Sequence, residues 1–197
     1  MRILVYDATR ASSWLDETWA IGAWWARKFN RFDRKIGATS WPDAIDKILS
    51  VSAGRTINEL HYWGHGHWGK IFMGKKAINV VALASPHHPW HEGLVRLSMQ
   101  MDEDSFVWFR VCGAFGNKQG RLFSTKLADF FGCRVASSTY LITTRHSGQR
   151  SLVPGQVPDW STNEGVKVVD GKPKLIKSRF GAPRTIMFWN SILPKNW

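Results

Sequence analysis

Four short apolar runs, each separated from the next by a helix-length stretch, constrain this chain more than any other feature. They are residues 3–6 (Ile-Leu-Val-Tyr), 57–63 (Ile-Asn-Glu-Leu-His-Tyr-Trp), 105–111 (Ser-Phe-Val-Trp-Phe-Arg-Val) and a run starting at 134–137. Brief apolar runs bounded by polar or turn residues suit buried strands better than helices. Between them the period changes to that of a helix. Trp14, Thr18, Ile21, Trp25 and Phe29 share one face behind the caps Ser12 and Ser13, with Arg27, Lys28, Arg31 and Arg34 at the far end. Ser40-Trp41-Pro42-Asp43 opens a second helix carrying Ile45, Ile48 and Leu49 and stopping before Gly54. Leu94, Leu97, Ser98 and Met101 mark a third, and Leu122, Lys126, Leu127 and Phe130 a fourth, ended by Gly132. Strands alternating with helices predict an α/β fold, a mostly parallel sheet covered by helices on both faces.

Beyond about residue 142 the pattern turns to β structure. Val166–Val169, the Asp170-Gly171 turn and Lys174–Ile176 predict a hairpin, followed by a strand near 185–189. No repeat or linker divides the chain. The expectation is one domain over 1–197, with a core of 1–142 and a β-rich, basic appendage over 143–197.

Charge and cysteine content narrow the function classes. Lys and Arg outnumber Asp and Glu by 27 to 15, a formal charge of +12, which favours an acidic partner such as nucleic acid or a polyphosphate. No apolar run is long enough to span a membrane, and Asp7 interrupts the opening apolar stretch where a signal peptide would continue. A cytoplasmic, soluble protein is the expectation. Two cysteines, Cys112 and Cys133, supply no disulfide framework and no paired metal-ligand spacing.

In an open α/β sheet, ligands sit beyond the carboxyl ends of the strands. Two reactive side chains are expected there: His65 in the turn Gly64-His65-Gly66-His67-Trp68-Gly69, and Cys112 at the end of 105–111. A thiol needs an adjacent base to attack at neutral pH, and His is the usual one. The N–H groups of Gly66 and Cys112 would then hold an oxyanion. A buried Cys is otherwise a small hydrophobe, the reading adopted for Cys133. His67 is the rival base. Asp7, at the same sheet edge, either lines a substrate pocket or caps the following turn.

An apolar strand ending in His-Gly, then one ending in Cys, resembles the caspase-like (clan CD) cysteine peptidases. Leu60-His61-Tyr62-Trp63-Gly64-His65-Gly66, with Gly69 and Gly74, is similar to the clan's His segment. Val107–Gly113, then Gly120, Phe123, Leu127, Ala128, Gly132 and Val135-Ala136-Ser137-Ser138, is similar to its Cys segment. The nearest likeness is to the caspase-like domains of large bacterial surface proteins, then to the autoprocessing domains of bacterial toxins. The likeness covers roughly residues 1–142. It implies a caspase-like three-layer sandwich, a polypeptide substrate and a thiol protease mechanism using Cys112, His65 and Gly66, with no metal. Arg110-Val111 precede the Cys in place of the Gln-Ala of true caspases, so a preference for aspartate is not implied.

Two other readings stay open. Lys167, Lys172, Lys174, Lys177, Arg179 and Arg184 stand almost without acids in the C-terminal segment. They form either a solvated face or a polyanion site. In the toxin domains such a surface binds inositol hexakisphosphate as an activator, and Trp160 and Trp189 could instead stack nucleic-acid bases. A third reading builds a metal hydrolase from His61, His65, His67, His87, His88 and His91.

Overall fold

A computed structural model describes residues 1–9, 31–143, 146–187 and 192–194. The helix expected over Trp14–Phe29 lies outside the described residues, as does the end of the strand expected at 185–189. Twelve strands are described: β1 (Arg2–Asp7), β2 (Arg34–Ala38), β3 (Glu59–Trp63), β4 (His65–His67), β5 (Lys70–Met73), β6 (Lys76–Ile78), β7 (Phe106–Arg110), β8 (Arg134–Ser138), β9 (His146–Leu152), β10 (Val166–Val169), β11 (Lys172–Leu175) and β12 (Thr185–Met187). Four helices accompany them: α1 (Trp41–Ser52), α2 (Val80–Ala84), α3 (His91–Ser98) and α4 (Asn117–Phe131).

The main sheet has the order β12-β9-β8-β7-β3-β1-β2. Its five strands from β2 to β8 run parallel, and β9 and β12 add an antiparallel edge. This is the expected α/β class with a mostly parallel sheet. All four described helices join one apolar cluster on a single face, with Val5, Tyr62, Phe109 and Val135 beneath Ile45, Leu94, Phe123 and Leu127. The opposite face carries Leu4, His61, Trp63, Trp108 and Arg110, which are aromatic and polar.

Several local expectations change. Arg34 does not end a helix but opens β2, an edge strand beside β1. The glycine-rich turn after β3 is itself structured: β4, β5 and β6 form a small antiparallel sheet of their own. Residues 143–197, read from sequence as an appendage, contribute β9 and β12 to the main sheet and Trp160 to the main core. Only β10 and β11 stand apart, as a hairpin whose turn residues Asp170 and Gly171 both have positive φ, 53° and 72°. That pair of conformations is a type I′ turn, for which Asp-Gly is a preferred sequence.

The polar face of β3 holds a buried charge group. Glu59 accepts from Arg31 Nη2 at 2.6 Å and bonds His61 Nε2 at 2.6 Å. Complete burial pulls the His61 imidazole down to about 4, outweighing the neighbouring carboxylate. Above pH 6.5 both native and unfolded chains hold a neutral His61. Below it the unfolded chain binds a proton that the native state refuses until about pH 4, so stability is lost across that window. Urea unfolding at pH 7 and pH 5 should therefore differ by roughly 2 kcal/mol from this residue. His61→Gln should flatten the difference.

Candidate active site

β3 and β7 are adjacent, parallel and in register, with Trp63 opposite Arg110 as the last pair. Two residues beyond that pair on each strand lie His65 and Cys112. Both residues thus follow shortly after the carboxyl ends of neighbouring strands, His65 as the first residue of β4 and Cys112 in the loop after β7. After Trp63 the chain turns through Gly64 into β4, and β4 crosses over the end of β7. Gly66 is packed so closely there that a Cβ would stand 2.5 Å from Val111 Cγ2 and 2.9 Å from the Cys112 carbonyl oxygen. Real side chains do not approach so near, which is why this position takes glycine.

Cys112 is half-buried and starts a tight loop into α4. Gly113 follows with φ 59°, and its N–H donates to Tyr140 O at 2.9 Å. Phe115 is fully buried; its N–H donates to Ser138 O at 3.1 Å, and its carbonyl accepts from Trp160 Nε1 at 2.9 Å. Burial pushes the Cys112 thiol up, and the backbone N–H of Ile142 works against that shift. The resting group at neutral pH is a thiol. Cys133 is completely buried, and burial with the Asp102 charge pushes its thiol up to about 12.

Asp7 ends β1 at the same sheet edge. Its Oδ1 accepts from Thr9 N–H at 2.9 Å and Thr9 Oγ1 at 2.5 Å, and its Oδ2 accepts from Gly74 N–H at 3.0 Å. The carboxylate therefore caps the turn after β1 and ties it to the β5–β6 turn, the second of its two sequence readings. His67 is exposed at the end of β4, its ring 4.5 Å from that of Trp68. Burial and Lys70 both lower its pKa.

The other histidines disperse. His61 is inside β3, His88 Nδ1 accepts from Trp90 N–H at 3.4 Å, and His91 Nδ1 lies 3.2 Å from Ala82 O. Among the described residues, no three His, Cys, Asp or Glu side chains converge as a metal set. No described helix is long and apolar enough to cross a membrane.

The basic set divides. Lys167 pairs directly with Lys174 across the hairpin, and Lys172 pairs with Val169. All three lysines are exposed, as are Lys177 and Arg179 beyond β11. Arg184 stands apart at the start of β12, donating to Asp159 Oδ2 at 3.0 Å. The hairpin's inner residue, Leu175, packs on Gly113: a Cβ there would be 2.6 Å from Leu175 Cδ2. The basic hairpin is thus rooted one residue from the candidate nucleophile. Sequence reasoning missed Trp160 as a prop for the Cys112 loop.

A domain family described as a domain of unknown function (DUF4347) matches residues 37–151, over half of the chain. The chain belongs to the DUF4347 family. The matched stretch runs from β2 through most of β9 and contains His65, Gly66 and Cys112. It leaves Asp7 and the lysine hairpin outside. No curated protein matches the chain. The DUF4347 description assigns no activity.

Proposed function

We propose that this DUF4347 domain is a caspase-like cysteine endopeptidase. Its Cys112 Sγ attacks the scissile carbonyl carbon while His65 takes the thiol proton. The carbonyl oxygen gains the electron pair and is held by the N–H groups of Gly66 and Cys112. As the C–N bond breaks, His65 passes its proton to the leaving amine, and water then releases the acyl group from sulfur. What supports the reading is the register of β3 and β7, whose last pair, Trp63 with Arg110, stands two residues before His65 and before Cys112. The raised thiol pKa makes His65 a general base acting during attack, rather than one half of a preformed ion pair.

Alkylation tests the pairing before any substrate is known. Iodoacetamide should modify Cys112 at least about tenfold faster than Cys133 at pH 8, because Cys133 is fully buried and titrates near 12. His65→Ala should slow Cys112 without touching Cys133. Equal rates in the parent chain and in His65→Ala would remove the dyad.

A second reading, polyanion binding, is favoured by one observation. Lys167 and Lys174 stand directly opposite each other, a like-charge pair that is destabilising without a counter-charge. Inositol hexakisphosphate should raise the melting temperature by linkage. Single-stranded DNA or RNA should instead bind with a steep salt dependence. Combined Lys172→Glu, Lys174→Glu and Lys177→Glu should abolish either effect. Neither ligand binding at near-physiological salt would make the hairpin a solvated face.

A further inference from the structure

None of the residues lining the groove between α4 and the segment after β9 belongs to the site around Cys112. Lys118, Arg121, Leu122 and Thr125 stand at i, i+3, i+4 and i+7 of α4 and so share one stripe, while Phe123, Leu127 and Phe131 are buried. Pro158 and Thr162 form the facing wall, and the groove between holds about 200 Å³. Three hydrogen bonds fix that wall along the helix: Gly155 N–H to Asp129 Oδ1 at 3.0 Å, Arg121 Nη2 to Pro158 O at 3.0 Å, and Trp160 Nε1 to Phe115 O at 2.9 Å. The lining carries two cations, two hydroxyls and no acid. The acids nearest in sequence are engaged elsewhere, Asp129 by Gly155, Asp159 by Arg184, and Glu164 by Arg150 and Thr139. Leu122 leaves 53% of its surface uncovered beside the two cations.

We infer that this groove is a docking site for an acidic segment of a polypeptide, with a carboxylate on Lys118 and Arg121 and an adjacent aliphatic side chain on Leu122 and Pro158. Charge complementarity sets the sign of the ligand. Two cations without an acid in the lining attract an anion, and the Arg121 guanidinium has N–H groups beyond the one given to Pro158 O. Size and lining set its class. A volume of about 200 Å³ lies below the roughly 300–1,000 Å³ of small-molecule and cofactor sites and suits one or two side chains. No aromatic side chain lines the groove to stack a nucleic-acid base. The uncovered Leu122 gains nothing from a bare phosphate but is covered by an aliphatic neighbour of the acid. The inference uses neither Cys112 nor His65, so it stands whether or not the chain cleaves peptides.

The test is fluorescence anisotropy of a labelled Ser-Gly-Asp-Leu-Glu-Gly-Ser peptide with the full chain, at about 0.15 M salt, where attraction beyond about 8 Å is screened. The peptide should bind, and its neutral Asn-Leu-Gln counterpart should bind at least about tenfold more weakly. Combined Lys118→Glu and Arg121→Glu should cost the acidic peptide a similar factor, and Leu122→Ala about threefold. Combined Lys172→Glu and Lys174→Glu removes the same charge from the hairpin and should change binding by less than about twofold. Lys118→Glu alone puts an acid in the first turn of α4, where the helix dipole favours it. That variant should melt no lower than the parent yet bind about fivefold more weakly, so it decides the matter if the double variant folds poorly. No binding of the acidic peptide, equal binding of the neutral one, or an equal loss in the hairpin variant would overturn the inference. So would full displacement of the peptide by inorganic phosphate at the peptide's own concentration, which would make the groove a simple anion site.

Discussion

Cys112→Ala should abolish peptide cleavage while leaving the fold in place. The thiol is small and half-buried, so its loss removes little packing. Stability should change by less than about 1 kcal/mol. Activity, by contrast, should fall by a factor of about 10³ or more, because the covalent route disappears with the sulfur. His65→Ala should cost a similar factor, and the double variant should be no worse than either single one, since the two groups act as a unit. The measurement is mass spectrometry of a peptide library, and of the chain itself, after incubation. Cleavage surviving in purified Cys112→Ala would dispose of the mechanism.

Trp160→Ala should give the largest loss of stability. Trp160 is 2% exposed and lies in the main core. Its ring stacks on Phe115 at 6.2 Å and 10°, and its indole N–H holds the Phe115 carbonyl. Truncation of a buried aromatic costs about 3–5 kcal/mol, equivalent to roughly 10 °C in melting temperature for a chain of this size. Trp160→Phe keeps a ring but strands the carbonyl, at about 1–2 kcal/mol. Thermal unfolding followed by circular dichroism reads both. A melting temperature unchanged in Trp160→Ala would mean that the C-terminal third is not part of the cooperative unit.

That dependence shows where the sequence was legible and where it was not. β1, β3, β7 and β8 announce themselves because apolar residues run together and end in glycine or a polar residue. His65 and Cys112 follow from the same punctuation. β9 gives no such signal. Its run, His-Ser-Gly-Gln-Arg-Ser-Leu, is buried nearly throughout, but its inward side chains are satisfied by partners rather than by being apolar. Gln149 Oε1, for example, accepts from Trp108 Nε1 at 3.0 Å. β2, Arg-Lys-Ile-Gly-Ala, carries too little apolar character to stand out beside the charged residues before it. The turn at 138–142 is invisible for another reason: Tyr140 O and Ser138 O take the Gly113 and Phe115 N–H groups, bonds between segments that meet only in three dimensions.

The pairing of Trp63 with Arg110 makes the site a matter of parity. Successive side chains of a strand alternate between faces, so a slip of one residue between β3 and β7 would put Trp63 opposite Phe109 or Val111 and shift the turn that carries His65 against the loop that carries Cys112. It would also turn one partner's neighbours toward the helical layer. No substitution at His65 or Cys112 can compensate for such a slip, because both residues would still be present and merely out of step. A single-residue insertion within 59–64 is therefore a harsher lesion than its position suggests. It leaves every chemical group in the chain and removes only their coincidence.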